Sequence, residues 1–243
     1  MEAEAIAKNF EALDNSGVYL ASSDKLGELS QLLEIADSSE TNILIEGSLL
    51  NDSNFVANFR KIVSDYSDSV KLSVRELLPS SMFKLMMSQN EKMKLDFLQL
   101  FERNLQKVQE LGIGKIIQNF DLLETIGDNK DFLDAIYGRC FMRRIELSLS
   151  LRIPLLNGKN LLYIHELIRH SMYNNLKLIL DIHVDENGFL QMDFAEEIKP
   201  LLFDIGAVHF WCESRFGNRI EKSTIAEVSE VCRKFNRNLE VFV

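Results

Sequence analysis

Proline is nearly missing from this chain, with three residues in 243. With so few, and with no low-complexity tract, no stretch reads as an interdomain linker, and a single domain over 1–243 is expected. Cysteine is equally scarce. Cys140, Cys212 and Cys232 are odd in number, far apart and without a C-x-x-C spacing. That argues against a disulfide framework or a cysteine zinc site and fits free thiols in a reducing, cytoplasmic setting. No apolar run reaches the roughly 18 residues of a membrane span. The acidic opening MEAEAIAKNF has neither the basic nor the apolar segment of a secretion signal. Positive charge is in deficit, 27 Lys and Arg against 37 Asp and Glu, so a general affinity for nucleic-acid phosphates is not expected. A Gly-rich phosphate loop, a G-x-S-x-G elbow and an H-E-x-x-H pair are also absent.

What is present is alternation. Apolar residues near helical spacing mark an N-terminal helix over Glu2–Leu13, stopped by Asp14 to Gly17. Short strands are expected at Gly17–Ala21, Asn42–Glu46, Val70–Leu78, Lys115–Phe120, Ile145–Ile153, Leu176–Val184, Ala207–Trp211 and Asn238–Val243. Helical patterns lie between them: one after Ser22 or Ser23, one after Asp52, Met82–Leu111 with a break near Ser88 to Asn90, Asp128–Cys140, Leu161–Met172, Phe194–Phe203 and Thr224–Phe235. Gly112 supplies the C-cap of the long one. Eight strands alternating with helices, over close to the roughly 250 residues usual for the fold, predict a (β/α)8 barrel built on a parallel sheet. Its last helix is missing after strand eight, and the N-terminal helix could stand in its place. A doubly wound open sheet shares the alternation and is the runner-up.

In such a barrel the chemistry gathers at the C-terminal strand ends. Strand six, LKLILDIHVD, carries Leu176, Leu178, Leu180, Ile182 and Val184 on one face and Lys177, Ile179, Asp181, His183 and Asp185 on the other. Strand five separates aliphatic Ile145 to Ile153 from Glu146, Ser148, Ser150 and Arg152. The aliphatic faces belong against helices, which turns Arg152, Asp181 and His183 inward. Strand seven offers Ala207, His209 and Trp211 on one face, strand eight offers Glu240, and strand three ends in Arg75 and Glu76. An Asp, two His and a Glu from three neighbouring strands suit either a divalent cation or proton transfer. The plain alternative is a buried ion-pair network of Arg152 with Asp181 or Glu146, since interior charges need partners whatever the function. Trp211 is either core or a stacking surface for a sugar ring. His165 and His170, five residues apart on a helix, do not share a face well.

The segments LILDIHVD, AVHFWCE and NLEVFV, with LQKVQELGIGKIIQNF before them, resemble the xylose isomerase-like TIM barrels, which include sugar and sugar-phosphate isomerases and epimerases. The resemblance spans roughly Leu95 to Val243. It implies a sugar or sugar-phosphate isomerase/epimerase-like protein that moves a proton next to a carbonyl, assisted by Mn2+, Mg2+, Zn2+ or Co2+. It implies Asp181, His209 and Glu240 as metal ligands, Glu240 and His183 as proton carriers, and Arg152, Arg75 and Trp211 at a carbohydrate-like ligand. The pattern departs at three places: Arg152 stands where the family carries a strand-five Glu, the family's D-x-x-H is one residue short here as Asp181-Ile182-His183, and Glu213 stands for the Asp after the strand-seven His. The first departure supports a second expectation, a catalytically degenerate barrel that binds a ligand or partner. The related apurinic endonucleases suggest DNA repair, which the negative charge opposes.

Overall fold

A computed structural model describes residues 16–20, 23, 26–35, 41–66, 70–87, 90–119, 130–152, 177–184, 205–212, 223, 226, 227, 230, 241 and 242. The chain divides into two compact units. The first contains residues 1–119, 129–147 and 242–243, and the second 120–128 and 148–241.

The first unit alternates β1 (Ser16–Leu20), α1 (Leu26–Ile35), β2 (Thr41–Glu46), a 3-10 turn (Gly47–Asn51), α2 (Ser53–Ser64), β3 (Val70–Arg75), α3 (Ser80–Met87), α4 (Glu91–Glu110), β4 (Lys115–Asn119) and α5 (Lys130–Met142). Its strands pair in parallel, β1 with β2, β2 with β3 and β3 with β4. The register strings Leu20, Ile45, Val74 and Ile116 into one row across all four strands, each fully buried. β-Branched and leucine side chains on a face covered by helices account for that row.

The helices start and stop where their sequence says. The Asp52 carboxylate accepts from the amides of Asn54 at 2.9 Å and Phe55 at 3.2 Å, capping α2. One turn apart, Phe55 and Phe59 stack at 5.6 Å and are fully buried. Asn90 caps α4 through the Met93 amide at 3.1 Å and divides the long helical pattern into two helices, α3 and α4. At its other end Gly112 takes φ +70°, while Gly112 N–H donates to Gln109 and Ile113 N–H to Val108, both at 3.0 Å. That pair of bonds satisfies carbonyls the helix would leave open, and only glycine takes that φ without strain. The inner stripe of α4, Phe97, Phe101, Leu105 and Val108, is buried, and each such side chain contributes about 1.5–3 kcal/mol. Phe97 meets Phe132 of α5 at 5.5 Å.

Some boundaries differ from expectation. β3 ends at Arg75 and not at Leu78, because Glu76 turns to φ +47°. Leu77 and Leu78 stay buried in the turn that follows and so prolong the apolar pattern past the strand. α5 runs to Met142, two residues beyond the expected end. The expected helices at 2–13, 161–172 and 194–203 lie outside the described residues, as does the question of a missing last helix. Of the helix expected at 224–235, residues 226, 227 and 230 are described and are helical.

In the second unit β5 (Glu146–Arg152, begun in the first unit), β6 (Lys177–Val184) and β7 (Ile205–Cys212) pair in parallel. Leu178 pairs with Ile205 but Ile179 pairs with Ala207, so Gly206 is an extra residue at a bulge in β7. β8 is described at Val241–Phe242. Among the described residues no helix is long and apolar enough to cross a membrane.

Candidate functional site

The ladders of the second unit sort the expected residues into rows. In parallel sheets, residues in register occupy the same face on strands about 4.8 Å apart. Ser150, Ile179 and Ala207 make one row. Two residues on, at the C-terminal end of β5, Arg152 is level with Asp181, and Asp181 with His209. Two residues further, His183 is level with Trp211. Five residues named from sequence therefore fall on two consecutive rows of one face. Ser148 and Ser150, on that same face of β5, are fully buried. Glu240 lies outside the described residues.

Glu146 does not join this group. It opens β5 at the opposite end from Arg152, six residues and so about 20 Å away along the strand. There its carboxylate pairs with Lys115 of β4 at 3.7 Å, and its amide donates to Gly114 at 2.9 Å. The expected Arg152–Glu146 pairing is thereby corrected: the two share a face but not an end.

A divalent ion needs several oxygen or nitrogen donors and tolerates no cation among them. The row supplies one carboxylate position and one imidazole position, with a guanidinium position next to the carboxylate. Among the described residues no cluster of three His, Cys, Asp or Glu could hold a metal ion. The row holds two of the three expected ligands, Asp181 and His209, with Arg152 where the resemblance expects a Glu, while the third, Glu240, lies outside the described residues.

In the first unit the C-terminal strand ends carry a second polar group. Glu46 is level with Arg75, and Arg75 with Ile117. Arg75, expected at the ligand, is 4% exposed. The ends of β2 and β3 come together because residue 47 is glycine: a Cβ there would lie 2.9 Å from the Arg75 carbonyl oxygen and 2.7 Å from the Glu76 carbonyl carbon. Glu76, although left-handed, still donates its amide to Ile117 of β4 at 2.8 Å. Two buried amides close β4, of which sequence reading names Asn119 as a polar strand end and gives neither a role. Gln118 donates to the Leu78 carbonyl at 2.9 Å, leaving its Oε1 without a partner. Asn119 has neither Oδ1 nor Nδ2 bonded. Two adjacent carboxamides following the apolar pair Ile116 and Ile117 were the available signal.

No family model matches the chain, and no curated protein matches it. Solved structures do match. The D-psicose 3-epimerase of Clostridium cellulolyticum H10, determined with D-tagatose, is 13% identical with a TM-score of 0.62, over 94% of this chain and 83% of that one. The 3-keto-D-glucoside 4-epimerase of E. coli is 14% identical with a TM-score of 0.59, over 94% and 91%. A sugar phosphate isomerase/epimerase of Parabacteroides distasonis is 12% identical with a TM-score of 0.57, over 94% and 87%. Likeness at such identity speaks for the fold.

Proposed function

We propose that the chain has the (β/α)8 fold of the xylose isomerase-like TIM barrels and not the open doubly wound sheet, a reading that its likeness to solved sugar epimerases supports. From that premise we propose that it is a sugar or sugar-phosphate isomerase/epimerase-like protein whose ligand sits at the C-terminal ends of β5 to β7. The observation that carries this is the in-register row Arg152, Asp181 and His209, followed by His183 and Trp211. Moving a proton next to a carbonyl takes an acid/base group and a positive group at the oxygen, where charge collects as the C–H bond breaks. His183 and Glu240 are the proposed proton carriers. An imidazole suits the role because it gains and loses a proton near neutrality. Arg152 takes the charge-stabilising part that the resemblance assigns to a metal ion, and binds an anionic or hydroxylated ligand group. Asp181 and His209 orient Arg152 and ligand hydroxyls, and Trp211 offers its ring to the sugar.

A second reading has its own support. Arg152 and Asp181 on adjacent strands at one level are spaced for an ion pair, which would engage both residues and leave a barrel that binds without catalysis. One experiment separates the readings: solvent deuterium incorporation next to the carbonyl of D-fructose, D-tagatose and their phosphates, followed by NMR with EDTA or with Mn2+. Exchange unaffected by EDTA and lost in Arg152→Ala supports the proposal. Exchange that needs Mn2+ restores Asp181, His209 and Glu240 as metal ligands. Binding without exchange favours the non-enzymatic reading, and neither binding nor exchange overturns both.

A further inference from the structure

The inference concerns Asn119 and comes from the first unit alone, without need of the Arg152 row. Asn119 ends β4 and is 1% exposed, yet neither side-chain amide atom has a hydrogen-bond partner. Each of three facts counts against asparagine here. It is a poor strand former, it is buried, and a buried amide without partners costs about 1–3 kcal/mol per unmet group. Leucine or valine would fill the position without those costs.

The surroundings give the unmet amide a direction. Asn104 of α4 and Gln118 donate to the successive carbonyls of Leu77 and Leu78, at 3.5 Å and 2.9 Å. Gln118 therefore belongs to the strand face that α4 covers. Asn119, one residue on, lies on the opposite face, which it shares with Ile117 and, through the ladder, with Arg75 and Glu46. This is the C-terminal end of the strands, the end at which barrels of this class bind ligands.

We infer that Asn119 is a ligand-binding residue, its amide held unbonded to receive a neutral, hydroxyl-rich compound. The chemistry selects the class. A carboxamide presents one acceptor and one two-hydrogen donor side by side, whereas a hydroxyl both donates and accepts. Two neighbouring hydroxyls of a polyol satisfy both ends of the amide at once. A carboxylate only accepts, and the anionic oxygens of a phosphate do the same, so either satisfies Nδ2 and sets a negative group against Oδ1.

The test uses the full chain and two variants, Asn119→Leu and Asn119→Thr, the second keeping a hydroxyl on a strand-compatible side chain. Thermal unfolding is measured alone and with D-fructose, D-tagatose, D-allulose or inorganic phosphate, and affinities by calorimetry. The expected result is a melting temperature equal to or above wild type in both variants. Affinity for at least one sugar falls tenfold or more in Asn119→Leu and less in Asn119→Thr, with any phosphate response unchanged. The inference is overturned by a lowered melting temperature with sugar affinity retained, which makes Asn119 part of the scaffold. It is equally overturned by a wild type that binds none of the three sugars, or by a loss confined to phosphate.

Discussion

Replacing Gly47 with alanine should destabilise the protein although it adds one methyl group. Ordinary contact for a Cβ begins near 3.4 Å, and the Cβ of alanine at this site would lie closest to the Glu76 carbonyl oxygen, with the Glu76 carbonyl carbon at 2.7 Å and the Arg75 oxygen at 2.9 Å. All three obstacles are backbone, so no side chain can swing away. The nearest of them obliges the ends of β2 and β3 to part by about an ångström or more. Overpacking of this kind costs about 1–3 kcal/mol and sometimes more, while alanine recovers only about 0.4–1 kcal/mol by restricting the unfolded chain. A net loss of about 2 kcal/mol lowers the melting temperature by roughly 4–8 °C for a domain of this size. Gly27 and Gly138, helical and with nothing within 4 Å of a built Cβ, are the matched controls. Alanine at either should stabilise by about 0.5–1 kcal/mol. Urea unfolding of the three variants decides the matter. A Gly47→Ala protein within 0.5 kcal/mol of wild type, or one that moves in the same direction as the controls, refutes the reasoning.

Asp52→Ala removes an acceptor shared by two amides at the start of α2. It should cost about 1 kcal/mol in urea unfolding, with Asp52→Asn close to wild type. Burial, and secondarily the nearby Glu102 carboxylate, push the Cys140 thiol up from 9.0 to about 12. Between those values the unfolded chain has lost this proton and the folded chain keeps it. Stability therefore falls as pH rises above 9, by up to about 1.4 kcal/mol per pH unit. Cys140→Ala lacks this contribution, so wild type should lose more stability than the variant between pH 8 and pH 10, and parallel losses would contradict the assignment. Under native conditions at pH 8, Cys140 should also resist thiol reagents until the protein unfolds.

Period-two and helical spacings are local properties, and they carried the strand series and the helical stretch that holds α4 directly to the page. Asp52, Asn90 and Gly112 were legible for the same reason, since a cap acts within one turn of its own residue. The end of β3 was not, because Leu77 and Leu78 are buried in a turn and buried apolar residues look alike in strand and turn. Parity within each of β5, β6 and β7 assigned Arg152, Asp181 and His209 to a common face. Sequence could not set their relative height, which depends on hydrogen-bonded register between strands far apart in the chain. Asn119 stayed hidden for a different reason. An amide's failure to find a partner is a property of everything around it, and no spacing records it.

Gly206 acts on β7 as an inserted letter acts on a reading frame. Were β6 and β7 to continue in the step set by Leu178 and Ile205, Asp181 would stand beside Val208, and His183 beside Phe210. The skipped glycine advances the strand by one, so that His209 comes level with Asp181 and Trp211 with His183. The polar character of this stretch thus depends on a residue with no side chain. A chain shortened at that position would keep every candidate group and lose their alignment.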